Sequence, residues 1–192
     1  RRRRQGSRSG SWPPRIKSRA GASWASVTHL PRPFAQPQAA QAQFLDGFNH
    51  FQKGEFCEAR EAWLDDEPDG DSSSAFGIAE TYSRGLCVQE DQVKASRWYL
   101  TAALRGFSRG RAEIGIRYAY GQGVEPNAYK SYVWLSIARL TAAKWETDFR
   151  ENLTVNINLM RQALTAAELA KANKAITQYR QTYRMPREFE IL

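Results

Sequence analysis

Residues 75–103 and 111–139 are two copies of one pattern, and this repeat limits the fold more tightly than any other feature of the chain. At an offset of 36 residues, Ile78 falls on Ile114, Tyr82 on Tyr118, Gly85 on Gly121, Val88 on Val124, Lys94 on Lys130, Trp98 on Trp134 and Ala102 on Ala138. A period in this range, with apolar positions at helical spacing on both sides of a glycine-bearing turn, describes a helix-turn-helix unit. Such a unit buries its apolar face by stacking on its neighbours. The sequence therefore predicts an all-α fold, a short right-handed αα-solenoid.

Charge is divided unevenly along the 192 residues. Residues 1–43 hold nine Lys/Arg and no acid, so of the net charge of +8 the remainder carries −1. The basic character belongs to a tail and not to the face of a fold, which argues against a nucleic-acid-binding domain. The tail is rich in proline and poor in aliphatic residues, and it reads as disordered. It would serve as a linker, as an extension outside the native chain, or as a polyanion-binding arm. Ala40-Gln41-Ala42 has the small-x-small form of a signal-peptidase site, but no apolar run precedes it. The expectation is a periplasmic or secreted protein if the mature chain starts near Gln43, and a cytoplasmic one otherwise. No stretch has the ~18 apolar residues of a transmembrane helix.

The folded sequence divides into four parts. A diverged unit covers 44–72, with Phe44, Phe48 and Phe51 on one helical face and Phe56, Ala59 and Trp63 on the next. Full repeats span 73–106 and 107–143, a closing helix pair spans 144–183, and 184–192 reads as a tail. Gly85 and Gly121 sit where a helix end needs a left-handed residue. Asp91 and Asn127 suit the N-caps of the second helices, as Ser72, Ser73 and Ser74 suit that of the helix running through Arg84. Phe149, Leu153, Ile157, Met160 and Leu164 stripe one closing helix. Thr165 and Glu168 form a capping box before the other, which Leu169, Ala172, Ile176 and Tyr179 stripe. Cys57 and Cys87 are the only cysteines. A bridge between adjacent helical units is conceivable, and two small buried thiols are the plainer account.

IGIRYAYGQGVEPNAYKSYVWL resembles the Sel1-like repeat, a relative of the tetratricopeptide repeat with a longer turn. IAETYSRGLCVQEDQVKASRWYLTAA resembles it too, with Cys87 in place of the second turn glycine. GFNHFQKGEFCEAREAW is similar to the abbreviated opening unit of small bacterial members, and the resemblance covers about residues 44–183. It implies a bacterial adaptor for protein assembly, with motif residues that build the stack and catalyse nothing. It also implies an alternative, an accessory factor in cell-envelope or exopolysaccharide processes with weak hydrolase activity.

The residues offer little to chemistry. His29 and His50 are the only histidines, so no nucleophile, base and orienting group can be named together. Gly121-Gln122-Gly123 lacks the preceding strand and the following Lys-Ser/Thr of a phosphate loop. Asp65, Glu67, Asp69, Gly70 and Asp71 fall on positions 1, 3, 5, 6 and 7 of a calcium loop, but Phe76 stands where the bidentate Glu belongs. The reading is accordingly no catalytic residue, no metal, no cofactor and no small-molecule substrate. What remains is docking of another protein or peptide segment on a concave face lined by the first helix of each unit. Its candidate residues are Glu80, Ser83, Arg84, Ile116, Ala119 and Tyr120.

Overall fold

A computed structural model describes residues 38–65 and 71–192, with side chains from Phe44 onward. Among these residues the chain forms eight α-helices and no strand. They are α1 (Gln38–Lys53), α2 (Phe56–Asp65), α3 (Ser72–Arg84), α4 (Gln92–Leu104), α5 (Ser108–Tyr120), α6 (Ala128–Thr141), α7 (Thr147–Gln162) and α8 (Ala166–Thr182). Each helix packs on the next up to α7, and α6 also takes α8. The all-α solenoid expected from the repeat is what forms. Its core is continuous: Ile78, Ala95, Tyr99, Ile114, Trp134, Leu135 and Ile137 are all essentially inaccessible.

The repeat extends to the hydrogen bonds of the turns. Gly85 and Gly121 take left-handed backbone at φ 65° and 70°, and their N–H groups donate to the carbonyls of Thr81 and Arg117. The Asp91 N–H donates to the Tyr82 carbonyl at 3.0 Å, and the Asn127 N–H to the Tyr118 carbonyl at 2.8 Å. Each cap side chain then accepts from the backbone three residues on, from Lys94 and Lys130, both at 2.9 Å. The N-cap expectation fails only at α3. The helix starts at Ser72 with the three serines buried in its first turn, and Asp71 holds the cap position. The opening unit also turns more abruptly, since only Gly54 and Glu55 separate α1 from α2.

Cys57 and Cys87 are not buried thiols. They form a disulfide across a Cα–Cα distance of 5.1 Å, and both residues are exposed. The reason lies in the second turn. Cys87 has φ 64° and corresponds to Gly123 at φ 70°. A Cβ added at Gly123 would collide with the backbone of Gln92 and would stand 2.8 Å from the Val93 nitrogen, at the start of the preceding unit's second helix. Cys57 is the 36-residue equivalent of Val93. The same contact between turn and preceding helix is thus made by a bare glycine in one copy and by a covalent bond in the other.

At the far end the capping box is complete, with Thr165 Oγ1 accepting from the Glu168 N–H and the Glu168 carboxylate accepting from the Thr165 N–H. Residues 184–192 are more than a tail. A 3₁₀ turn at Arg187–Phe189 returns the chain to α6, and Phe189 is fully buried. The calcium-loop pattern lies largely outside the described residues, as does the basic stretch before Gln38.

Candidate functional site

The face built by the first helices is organised around Arg117, one turn from the end of α5. Arg117 is only 3% exposed, which is unusual for an arginine and requires partners for its donors. Its Nη2 donates to Ser83 Oγ at 2.7 Å. Its Nη1 is shared among Gln92 Oε1 at 2.9 Å, Ser96 Oγ at 3.2 Å and the Gln122 carbonyl at 3.3 Å. The guanidinium plane lies over the Tyr99 ring, 4.5 Å from its centroid. One side chain therefore joins the end of α3, the start of α4 and the α5–α6 turn, fixing one repeat against the next.

Beside this clamp stand two carboxylates. The Tyr99 hydroxyl donates to Glu80, and burial, followed by the charges of Glu80 and Glu113, pushes this phenol well above its ordinary range. Glu113 is pushed up to about 7, first by burial and then by the negative charge of Glu80, against the pull of Arg117 and Arg109. No hydrogen bond reaches the Glu113 carboxylate among the described residues. Around the pair, Arg84 approaches Glu80 at 3.8 Å, and Arg109 pairs with Glu146 at 3.0 Å while lying 5.2 Å from the Phe149 centroid. The result is a strip of mixed charge from α3 across α5 to the start of α7, with the two glutamates adjacent at its centre.

The residues singled out from sequence fall into three groups. Glu80 and Arg84 belong to the strip. Ser83 is engaged within the fold, its hydroxyl accepting from Arg117 and its carbonyl from Gln92 Nε2 at 2.9 Å. Ile116 and Ala119 are partly buried and Tyr120 is 41% exposed, at the end of α5. Glu113 and Arg117 were missed. Their signal was available, since they stand opposite Gly77 and Thr81 where the two copies disagree. His50 is taken by Glu55, with Nδ1 2.6 Å from Oε2. Among the described residues no three of His, Cys, Asp and Glu are placed to hold a metal ion, and no helix is long and apolar enough to cross a membrane.

No family model and no curated protein matches the chain. Solved structures do. The chain resembles a protective antigen present in uropathogenic Escherichia coli strains that displays an SLR fold, with a TM-score of 0.65 and 27% identity over 76% of this chain and 30% of that one. It also resembles a Sel1 repeat protein from Oxalobacter formigenes, with a TM-score of 0.51 and 20% identity over 65% of this chain and 59% of that one. The chain thus spans less than a third of the first protein and about three fifths of the second. With the repeat, the paired turn glycines and the capped second helices in register, the chain is a Sel1-like repeat protein.

Proposed function

We propose that this protein is a non-catalytic interaction module that docks a segment of another protein on the face formed by α3 and α5. The observation that carries this reading is the Glu80–Glu113 pair. Two carboxylates are held together at the cost of a raised pKa, and among the described residues no hydrogen-bond donor reaches the second of them. A cation supplied from outside would relieve both burial and repulsion, so the complementary segment presents a Lys or Arg to the pair. Ile116, Ala119 and the exposed ring of Tyr120 would take an apolar neighbour of that cation. Support also comes from the fold, whose repeating motif residues are consumed in stacking. The Cys57–Cys87 bridge suits an oxidising compartment, in keeping with an exported adaptor.

The test is a capture experiment with the wild type, with Ile116→Ser/Tyr120→Ala, and with Glu80→Gln/Glu113→Gln. Each variant is first shown to unfold at or above the wild-type denaturant midpoint. The expected result is loss of the same bound protein from both variants. Retention by both at unchanged stability would remove this face from consideration.

A further inference from the structure

A second site lies on the other side of the repeat, and it is already filled. We propose that the surface made by Tyr118 of α5 with Tyr129, Lys130 and Trp134 of α6 is a binding groove for an extended peptide carrying an aromatic side chain next to a carboxylate. In this reading residues 186–192 occupy the groove in cis and yield to a partner segment of the same chemistry. The proposal is independent of the α3–α5 face.

Three anchors define the ligand. Phe189 is fully buried, with its ring 5.6 Å from that of Tyr129 and edge-on to Trp134 at 6.2 Å. Glu188 accepts from the Tyr129 hydroxyl at 2.6 Å and from Lys171 Nζ at 3.0 Å, and these donors hold its carboxyl below the usual range. The Ile191 carbonyl accepts from Lys130 Nζ at 2.9 Å. One aromatic ring in an apolar slot, one side-chain carboxylate and one backbone carbonyl are the contacts by which a groove holds an extended peptide. The Ile191 side chain meanwhile remains 73% exposed, and the Lys171–Glu188 pair is solvated. Outside Phe189 the segment is held at a few points on the surface of the stack.

The internal repeat carries the same frame without this occupant, with Arg60 of α2 donating to the Tyr82 hydroxyl at 2.9 Å in its place. At the 36-residue offset the first repeat carries the same frame, Tyr82, Lys94 and Trp98, with Lys94 Nζ 5.5 Å from the Tyr82 ring as Lys130 Nζ is 5.0 Å from that of Tyr118. There Lys94 turns to its own cap residue, Asp91, at 3.4 Å, and Val93, the equivalent of Tyr129, is 48% exposed. The Tyr–Lys–Trp frame stands in that copy with no 184–192 segment across it. In the second copy Tyr129 replaces Val93, and that ring and hydroxyl supply a wall for Phe189 and a donor for Glu188.

The experiment uses the full chain and a fluorescent peptide of residues 186–192, blocked at both ends so that no terminal charge contributes. In the wild type the tethered segment acts at an effective concentration on the order of millimolar and excludes the peptide. The Glu188→Ala/Phe189→Ala chain, with its own segment released, should bind the peptide at least tenfold more tightly than the wild type. Adding Lys130→Ala to that chain, or replacing the phenylalanine of the peptide by alanine, should abolish the gain. Equal binding by wild type and released chain would overturn the proposal. So would loss of helical circular dichroism in the released chain, which would make the segment a structural wedge.

Discussion

Removing the Cys57–Cys87 bridge should detach the opening unit while leaving the two full repeats in place. The bridge closes a separation of 30 residues, for which the chain-entropy account gives about 3.6 kcal/mol of stabilisation. A second effect works in the opposite direction. Cys87 holds a left-handed backbone at φ 64°, a conformation costing a non-glycine residue about 1–2 kcal/mol, and Gly123 meets the same demand in the next turn without that cost. Cys57→Ala/Cys87→Ala should therefore lose most of the bridge's contribution, and Cys57→Ala/Cys87→Gly should recover about 1 kcal/mol of it. Urea unfolding with and without reductant measures the totals. Amide exchange locates the loss, since protection should fall in α1 and α2 and persist in α5 and α6, where the joining contacts are non-covalent. The reasoning is refuted if reduction changes stability by less than about 1 kcal/mol, if protection falls evenly along the chain, or if the glycine variant is no more stable than the alanine variant.

Two further perturbations test the α3–α5 face. With Glu113 at about 7 in the fold and 4.5 as its ordinary value, the folded state keeps a proton that the unfolded chain has released. Stability should fall as pH rises from about 4.5 to about 7 and then level off, by up to about 3 kcal/mol, and Glu113→Gln should flatten that decline in unfolding curves taken at pH 5 and pH 8. Arg117→Met keeps the bulk of the side chain but leaves Ser83 Oγ and Gln92 Oε1 without their donor, while Ser96 and the Gln122 carbonyl keep the bond between them, so it should lower the unfolding free energy by about 1–3 kcal/mol. A loss below about 1 kcal/mol in denaturant unfolding would mean that the clamp is dispensable.

The parts of this fold that sequence reveals are those whose cause is local. A left-handed glycine, an Asp or Asn accepting three residues ahead and a Thr–Glu box each act within one turn of chain, and all of them appear where their residues predict. The disulfide, the Arg117 clamp and the burial of Phe189 join residues 30, 34 and 55 or more positions apart, from Cys57 to Cys87, Ser83 to Arg117 and Trp134 to Phe189. Composition and periodicity offer the cysteine pairing only as one of two readings and carry no record of the other two. Serines before α3 misled for a related reason, because a cap is defined by where the backbone leaves the helix and three adjacent candidates do not say which.

The differences between the copies are coupled across the interfaces. Trp63 and Tyr99 are equivalent at the 36-residue offset, and so are Gly77 and Glu113. At the first interface the Trp63 ring lies so close to Gly77 that a Cβ there would stand 2.7 Å from it, so ring and bare backbone form one apolar closure. At the second interface the smaller ring of Tyr99 carries a hydroxyl that goes to Glu80, and the position opposite bears a carboxylate in place of a hydrogen. Restoring Gly at 113 alone would leave the Tyr99 hydroxyl and Glu80 in place but remove the second charge. Restoring Trp at 99 alone would drive an indole into Glu113. Trp at 99 therefore requires Gly at 113, so the interface that carries the Glu80–Glu113 pair differs from its neighbour through three side chains on three helices, Glu80 on α3, Tyr99 on α4 and Glu113 on α5.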